Sequence, residues 1–191
     1  MQARLSATDL ACRKGDRLLF RQLDLDLGPG DVLQVRGPNG VGKTSLMRIL
    51  AGLARPFAGT INRSGEVGMI DGRHALDPDR KLGDALRFWA RLDGGVDIAA
   101  PMRRLGIDSL ADIPVGYLST GQKQRGVIAR LLLRPRPIWL LDEAFAGLDT
   151  ASQDLLADLA SEHCKAGGLC VFVSHQPVDM PARTLDLAEF V

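Results

Sequence analysis

The stretch Gly37-Pro38-Asn39-Gly40-Val41-Gly42-Lys43-Thr44 matches the pattern G-x-x-x-x-G-K-[ST] at every position. It lies between an apolar run, Val32–Val35, that predicts a buried strand and a segment, Ser45–Leu53, that predicts a helix. A strand, a glycine-rich turn and a helix are the context in which this pattern binds nucleotide phosphates. These residues therefore predict a phosphate-binding loop at the edge of an α/β fold.

The chemistry expected of this loop follows from its residue types. Glycines let the backbone curl so that successive N–H groups converge on a phosphate, and the dipole of the following helix adds to the attraction. The Lys43 ammonium is expected to reach the β- and γ-phosphates, and the Thr44 hydroxyl is expected to ligate Mg²⁺. The predicted nucleotide-binding residues are Gly37–Thr44 together with Ser45. A chance match is the alternative, which the flanking strand and helix disfavour.

Composition limits the classes of protein to which the chain can belong. It has 191 residues, with 24 Lys and Arg against 23 Asp and Glu, and 46% of its residues are apolar. These values suit one globular domain, and the near-zero net charge gives no argument for nucleic-acid binding. No apolar run approaches the roughly 18 residues of a membrane span, and no secretion signal is visible. The three cysteines lack metal-binding spacing and are expected to be reduced.

Short apolar runs alternate with helical periodicity along the chain. This alternation predicts the α/β class, with a mainly parallel sheet, N-terminal antiparallel strands and a small helical subdomain. Together with the phosphate loop, this arrangement resembles a P-loop NTPase core. The predicted buried strands are Val32–Val35, Val67–Ile70, Ile138–Leu141 and Leu169–Val173; the antiparallel strands, expected to be short, are Leu18–Phe20 and Leu23–Leu27; and the apolar face of the first helix comprises Leu46, Ile49, Leu50 and Leu53.

Two acidic residues follow the apolar run that begins at Ile138. Ligands bind at the carboxyl edge of a parallel sheet, so Asp142 is expected to hold Mg²⁺ through its water shell. Glu143, one residue further, is expected to accept a proton from an attacking water. The alternative is a strand end that carries ordinary solvated acids, and the phosphate-binding loop upstream makes this alternative weaker.

A second candidate anion site lies at Leu118–Gln122, which we call the signature segment. Ser119 and Gln122 have the spacing of a capping box that opens a helix running to Leu133. Gly121 lies in the first turn, where glycine lowers helix stability, so we expect another group to approach the backbone closely there. A plain capped helix is the alternative interpretation of the signature segment taken alone.

Together these motifs resemble the ATP-binding cassette (ABC) family, in which the phosphate loop, signature, acidic strand end, D-loop and switch histidine occur in this order. Gly147–Asp149 is similar to the D-loop, and His175, after the strand Leu169–Val173, is similar to the switch histidine. Without the resemblance, His175 is expected to be a core histidine at a strand end. The resemblance implies a cofactor pair of ATP and Mg²⁺, with Glu143 as catalytic base and His175 at the γ-phosphate.

The resemblance also implies how two copies associate. ATP is expected between the Gly37–Thr44 loop of one copy and Ser119, Gly121 and Gln122 of the other, in a head-to-tail dimer.

The chain is expected to be one domain, 1–191, in which 1–72 and 130–191 form the catalytic core. Residues 73–129 form a helical subdomain that carries the signature segment, with helical pieces near Gly83–Leu92 and Ala99–Leu105.

Within the family, the chain is similar to the ATP-binding subunit of the haem exporter of cytochrome c biogenesis. This resemblance implies integral membrane subunits of the haem exporter as partners, no nucleic acid, and a peripheral location on the cytoplasmic face of the bacterial inner membrane. A soluble ATPase of iron–sulphur assembly, or an ATPase of another small-substrate transporter, is the alternative. The stretches that carry the similarity are Leu10–Arg13, Leu19–Phe20, Leu33–Gly40, Leu46–Leu53, Asp112–Val115 and Ser174–Pro177.

Several positions depart from the general family pattern. No aromatic residue stands near Cys12-Arg13 to stack on adenine, so one of these two residues replaces it or the base is held loosely. The usual Q-loop glutamine is missing from Asp71–Leu76, which leaves its Mg²⁺ contact and its hinge role unassigned. His74 and His163 are expected at the surface rather than as haem ligands.

Overall fold

A computed structural model describes residues 2–72 and 75–191 of the chain. Its strands and helices, numbered in chain order, alternate as the sequence predicts. They are β1 Arg4–Lys14, β2 Arg17–Leu27, β3 Val32–Arg36, α1 Lys43–Ala51, β4 Ala58–Ser64, β5 Val67–Ile70, α2 Leu82–Leu92, α3 Ala99–Arg104, α4 Thr120–Leu132, β6 Ile138–Asp142, α5 Thr150–Lys165, β7 Leu169–Val173 and β8 Arg183–Asp186. Short 3₁₀ helices occur at Asp108–Leu110, Val115–Tyr117 and Leu187–Phe190.

A five-stranded sheet with the strand order β5-β6-β7-β3-β8 forms the centre of the molecule, and its ladders are parallel. All four predicted strands are confirmed, because β3, β5, β6 and β7 cover them. Every residue of β6 and β7 is buried. Both faces of these strands are covered, which explains why the sequence shows continuous apolar runs rather than alternation.

The N-terminal antiparallel sheet has the order β2-β1-β4, and it differs from the prediction in the length of its strands. Leu18–Phe20 and Leu23–Leu27 belong to one strand of 11 residues rather than to two short ones. Gln22 has a φ of 55°, and the pairing register shifts between Phe20 and Leu23. This bulge resets the inward-facing positions, so the sequence pattern was wrongly interpreted as a break between strands.

Helix α1 follows the phosphate loop and packs on the parallel sheet through Leu46, Ile49 and Leu50, which are buried. The helix ends at Ala51 because Gly52 adopts the left-handed conformation, with a φ of 79°. Leu53 therefore lies beyond the helix and is 68% exposed, so its predicted place on the apolar face is wrong.

The region between β5 and β6 is mainly helical. Helices α2 and α3 correspond to the two predicted helical pieces, and the capping box predicted at the start of α4 is present. Residues of all three helices share one apolar core with β6 and α5. The predicted boundary between the helical subdomain and the catalytic core falls between positions 129 and 130, and both positions lie within helix α4.

The predicted fold class is confirmed, since a mainly parallel sheet, antiparallel N-terminal strands and a helical region are all present. Within the described ranges, no helix combines the length and apolar character needed to span a membrane. Cys12, Cys164 and Cys170 are buried and carry free thiols.

Candidate nucleotide-binding site

The phosphate loop joins β3 to α1, and its backbone conformation depends on glycine. Gly37, Gly40 and Gly42 have φ values of 135°, 79° and 120°. A Cβ on Gly42 would also lie 3.2 Å from Leu19 Cβ and Phe20 Cδ1, so a side chain there would be crowded as well as strained in φ. No side chain caps the start of α1. Its first N–H groups are thus available to an anion.

Lys43 folds back over this loop and is 9% exposed. Its ammonium donates hydrogen bonds to the carbonyl oxygens of Gly37, at 2.7 Å, and Pro38, at 3.1 Å. These two bonds hold a positive charge directly above the loop. The ammonium is thus kept beside the loop, where phosphate oxygens would replace these carbonyls as its acceptors.

Asp142 ends β6 and lies beneath the loop, with only 3% of its surface exposed. Burial raises the pKa of its carboxyl group, and a hydrogen bond with the Thr44 side chain opposes this rise. Its Oδ1 atom is buried and has no hydrogen-bond partner among the described residues. A carboxylate oxygen without a partner beside a hydroxyl is a fitting pair of ligands for Mg²⁺. The described chain has no cluster of three or more metal-binding side chains, so phosphate and water oxygens would complete such a site.

A second acidic side chain, which the sequence did not single out, lies near Asp142. Asp71 follows β5, the neighbour of β6, and its charge adds to the rise of the Asp142 pKa. Arg48 lies 3.7 Å from the Asp71 carboxylate. Thr44 and Arg48 are four residues apart on α1, so one face of this helix contacts both acidic residues. In the sequence, the i, i+4 spacing of Thr44 and Arg48 was the pattern that could have indicated a second acidic residue near Asp142.

Glu143 and His175 come together because they follow the neighbouring strands β6 and β7. The Glu143 backbone has a φ of 55°, and its amide donates a hydrogen bond to the Val173 carbonyl at 3.1 Å. His175 Nε2 lies 3.3 Å from Glu143 Oε1. The imidazole is half-exposed, so His175 is not the core histidine that its position alone would suggest.

A cavity of about 680 Å³ brings these groups together. This volume lies within the usual range of small-ligand sites, roughly 300–1,000 Å³. The described residues that line the cavity do not include Ser119, Gly121 or Gln122. The lining residues are Lys14, Arg17, Leu19, Asn39, Gly40, Gly42, Lys43, Thr44, Ser45, Asp142, Glu143, Ala146 and His175.

The signature segment instead packs against the D-loop of its own chain. Ser119 and Gln122 form the capping box through hydrogen bonds of 3.2 and 2.9 Å. A Cβ on Gly121 would lie 3.4 Å from the Gly147 carbonyl oxygen. That is an ordinary van der Waals distance, so no group among the described residues makes a close approach that requires glycine here, and the expectation stays a prediction.

The two residues considered as replacements for an adenine-stacking aromatic lie outside the cavity lining. Cys12 is buried, and its thiol forms a hydrogen bond with Ser45 that partly offsets a pKa raised by burial. The Arg13 guanidinium lies 4.4 Å from the centre of the Phe57 ring. Lys14, which ends β1, and Arg17, which begins β2, line the cavity instead, which sequence reasoning missed.

His163 is not a simple surface residue, which corrects the expectation from the sequence. Its ring is partly buried and stacks on Trp139 with 4.1 Å between the centroids, and Nε2 lies 3.2 Å from the Pro137 carbonyl oxygen. Burial lowers the pKa of this imidazole. His74 lies outside the described residues.

With this geometry in hand, the chain can be compared with known proteins. The family model described as ABC transporter matches residues 20–146, which is more than half of the chain. A Pyrococcus furiosus ABC transporter ATP-binding protein of known structure has the same fold, with a TM-score of 0.85 over 98% of both chains at 22% identity. An inward-facing metal-chelate type ABC transporter gives a TM-score of 0.82 at 28% identity, over 97% of this chain and 80% of its own. The chain therefore belongs to the ABC transporter family.

Two relatives indicate which subfamily of ABC transporter proteins the chain is similar to. Both carry the name cytochrome c biogenesis ATP-binding export protein CcmA. The Novosphingobium aromaticivorans relative is 48% identical over 97% of this chain and 96% of its own length. The Zymomonas mobilis relative is 45% identical over 99% of this chain and 86% of its own. The predicted resemblance to this subfamily is thereby confirmed.

Proposed function

We propose that the chain is the ATP-hydrolysing subunit of an ABC-type membrane complex that drives haem export or release for c-type cytochrome biogenesis. The convergence of Lys43, Thr44, Asp142, Glu143 and His175 around one cavity carries this proposal. The names of relatives that match this chain over almost its whole length support the biological setting.

ATP binds with its β- and γ-phosphates in the loop Gly37–Thr44, extended by Ser45. The Lys43 ammonium turns from the Gly37 and Pro38 carbonyls toward phosphate oxygens, a change of partner that needs only side-chain rotation. Thr44 and Asp142 would hold Mg²⁺, which supplies positive charge to the β- and γ-phosphate oxygens. The partnerless Oδ1 of Asp142 supports this assignment.

Hydrolysis uses Glu143 and His175. A water oxygen attacks the γ-phosphorus as the bond to the β-phosphate oxygen breaks, and Glu143 accepts the proton that the water loses. His175 lies 3.3 Å from the Glu143 carboxylate and contacts the γ-phosphate from the end of β7. ADP and phosphate are the products.

The active unit is a head-to-tail pair of this chain, together with integral membrane subunits. The signature residues Ser119, Gly121 and Gln122 lie outside the cavity of their own chain, and a second copy brings them to the ATP. The catalytic core is 1–72 and 130–191, and 73–129 is the helical subdomain. The pair lies on the cytoplasmic face of the inner membrane, and no nucleic acid takes part.

The test is purification of the tagged chain from detergent-solubilised membranes, followed by identification of the accompanying proteins and assay of Mg²⁺-dependent ATPase activity. We expect integral membrane proteins to co-purify and the activity to depend on Lys43. A Lys43→Ala variant and a matched Lys165→Ala variant, in which an exposed lysine is removed, provide the comparison. Recovery from the soluble fraction alone would instead favour an ATPase of a soluble cofactor-assembly complex.

A further inference from the structure

The turn after β7 carries His175 to the edge of the nucleotide-binding cavity, and we call Ser174–Gln176 the histidine turn. The Ser174 hydroxyl closes this turn. Its Oγ atom accepts a hydrogen bond from the Gln176 amide at 3.1 Å and donates one to the Gln176 carbonyl oxygen at 2.9 Å. These bonds give the turn its local shape, but they do not fix its place relative to the rest of the chain.

The His175 imidazole is held by few contacts of its own. Its side chain is 56% exposed, and its one polar contact among the described residues is with Glu143, at 3.3 Å. A half-exposed side chain moves between rotamers unless its backbone or a partner holds it. The orientation of the imidazole toward Glu143 therefore depends on how the histidine turn is anchored.

The anchor comes from Gln153 on α5. The side-chain amide nitrogen of Gln153 donates a hydrogen bond to Gln176 Oε1 at 2.6 Å. Apart from the contact of His175 with Glu143, this is the only side-chain hydrogen bond that joins the histidine turn to a separate part of the described chain. Gln153 lies outside the sequence motifs of the site, and it does not line the cavity.

The D-loop holds the same amide group from its other side. The Gln153 amide nitrogen also donates to the Leu148 carbonyl oxygen at 3.0 Å, so both of its N–H groups are used. The Leu148 side chain is buried, and the Asp149 carboxylate caps the first turn of α5 by accepting a hydrogen bond from the Ser152 amide at 3.0 Å. Gln153 therefore reaches the histidine turn from a fixed helix end.

We propose that Gln153 is a positioning residue for His175. Through Gln176 it holds the histidine turn at the place where the imidazole reaches Glu143. The proposal deepens the proposed function and rests on it, since His175 and Glu143 are the residues assigned there to hydrolysis. Gln153 acts through Gln176 and not on the nucleotide.

Loss of this hydrogen bond affects turnover more than substrate binding. Lys43 and Thr44 hold the phosphates from α1, and no hydrogen bond of Gln153 or Gln176 leads to that helix among the described residues. Without the bond, the histidine turn takes additional positions, and the imidazole meets Glu143 in a smaller fraction of molecules. We expect kcat to fall by about 3- to 10-fold, the range set by one net hydrogen bond, and KM to change by less than about twofold.

The kinetic test compares Gln153→Ala, Gln176→Ala and the double variant, each as the full chain purified from solubilised membranes. Alanine favours helix at position 153, and Gln176 is exposed, so we expect all three variants to fold. Asp154→Ala is the matched control, because it removes an exposed side chain from the next position of α5.

Mg²⁺-dependent ATPase assays give kcat and KM for each variant. If Gln153 acts through Gln176, the double variant should lose no more activity than the single variants do, within about twofold. Asp154→Ala should leave both constants unchanged.

Nuclear magnetic resonance of the imidazole groups provides a readout that does not depend on hydrolysis. The chain has three histidines, so the His175 signal is assigned by comparison with His175→Ala. Glu143→Gln should shift this signal, because the carboxylate lies beside the ring. When Gln153→Ala is also present, the shift should fall to about half or less, and with Asp154→Ala it should be retained.

An unchanged kcat in Gln153→Ala, or an undiminished response of the His175 signal, would overturn the inference, and the proposed function stands if hydrolysis still depends on Lys43. Additive losses in the double variant would also overturn it, because Gln153 would then act by a route other than Gln176. Absence of Mg²⁺-dependent hydrolysis by the unaltered chain would overturn the proposed function instead, while a reduced response of the signal would still show that Gln153 positions the imidazole.

Discussion

The imidazole Nε2 of His175 lies 3.3 Å from Oε1 of Glu143, although the two residues are more than thirty positions apart. The contact arises because β6 and β7 are parallel neighbours that end at the same edge of the sheet. The histidine limits the positions that the carboxylate can take beside the cavity. This pairing supports a joint role in water activation, and it leads to the first prediction.

Replacing Glu143 with Gln should retain ATP binding and lower the rate of hydrolysis by about 10²–10⁴-fold, the usual contribution of a general base. The amide keeps the shape of the side chain but accepts protons poorly. Single-turnover phosphate release and size-exclusion chromatography with ATP measure the effect, and we expect dimers to accumulate. Glu189→Gln, at an exposed position, is the control. Undiminished turnover would remove Glu143 from the role of base.

Asp142→Asn should stabilise the chain without ligand and remove its response to Mg²⁺. Because burial raises the pKa of Asp142, the native state resists ionisation of this group more than the unfolded state does. The carboxylate therefore lowers the stability as pH rises from the unfolded pKa through the raised native pKa. Asparagine has no such ionisation.

We expect the melting temperature of Asp142→Asn at neutral pH to rise by about 2–4 °C, equivalent to roughly 1 kcal/mol in a chain of this size. The difference from the unaltered chain should shrink as pH falls below the native pKa. Thermal unfolding between acidic and neutral pH, with and without Mg²⁺ and an ATP analogue, provides the measurement. A lower melting temperature at neutral pH would contradict the prediction.

Arg63 on β4 connects the antiparallel sheet to the carboxyl end of α1. Its guanidinium donates hydrogen bonds to the carbonyl oxygens of Leu50, at 2.7 Å, and Ile49, at 2.8 Å. Arg63→Met keeps most of the apolar stem and removes both bonds, so the free energy of unfolding should fall by about 1–2 kcal/mol. Denaturant unfolding measures it, with Arg55→Met as an exposed control. An equal loss in both variants would show that these bonds contribute little.

Gly147 links the D-loop to the start of α4. It has a φ of 74°, and an added Cβ would lie 2.8 Å from the Thr120 methyl carbon. Gly147→Ala should destabilise the chain by about 1–3 kcal/mol and shift the signature segment. Combining it with Thr120→Ser, which removes that methyl group, should restore part of the loss.

A double-mutant cycle from the unfolding free energies of these variants isolates the contact between the two residues. We expect a coupling of about 0.5 kcal/mol or more. Strict additivity of the two substitutions would show that the φ angle alone explains the requirement for glycine at 147.

Local features of the sequence were sufficient for much of the site. The phosphate loop was predictable because glycine spacing, Lys43 and the flanking periodicity all lie within about twenty residues. The capping box at Ser119 and Gln122 was predictable because it is formed within one helical turn. Leu53 was misplaced because the left-handed conformation of Gly52, which ends α1, interrupts an otherwise continuous apolar pattern.

By itself, then, the sequence determined the fold class, the phosphate loop and the acidic strand end, since each depends on residues that are neighbours along the chain. Tertiary structure alone decided which distant residues meet: Arg48 with Asp71, Glu143 with His175, and Gly147 with Thr120. It also decided that Lys14 and Arg17, rather than Cys12 or Arg13, line the cavity. The physical reason is that strand order and register set these contacts, and both arise from packing across the whole sheet.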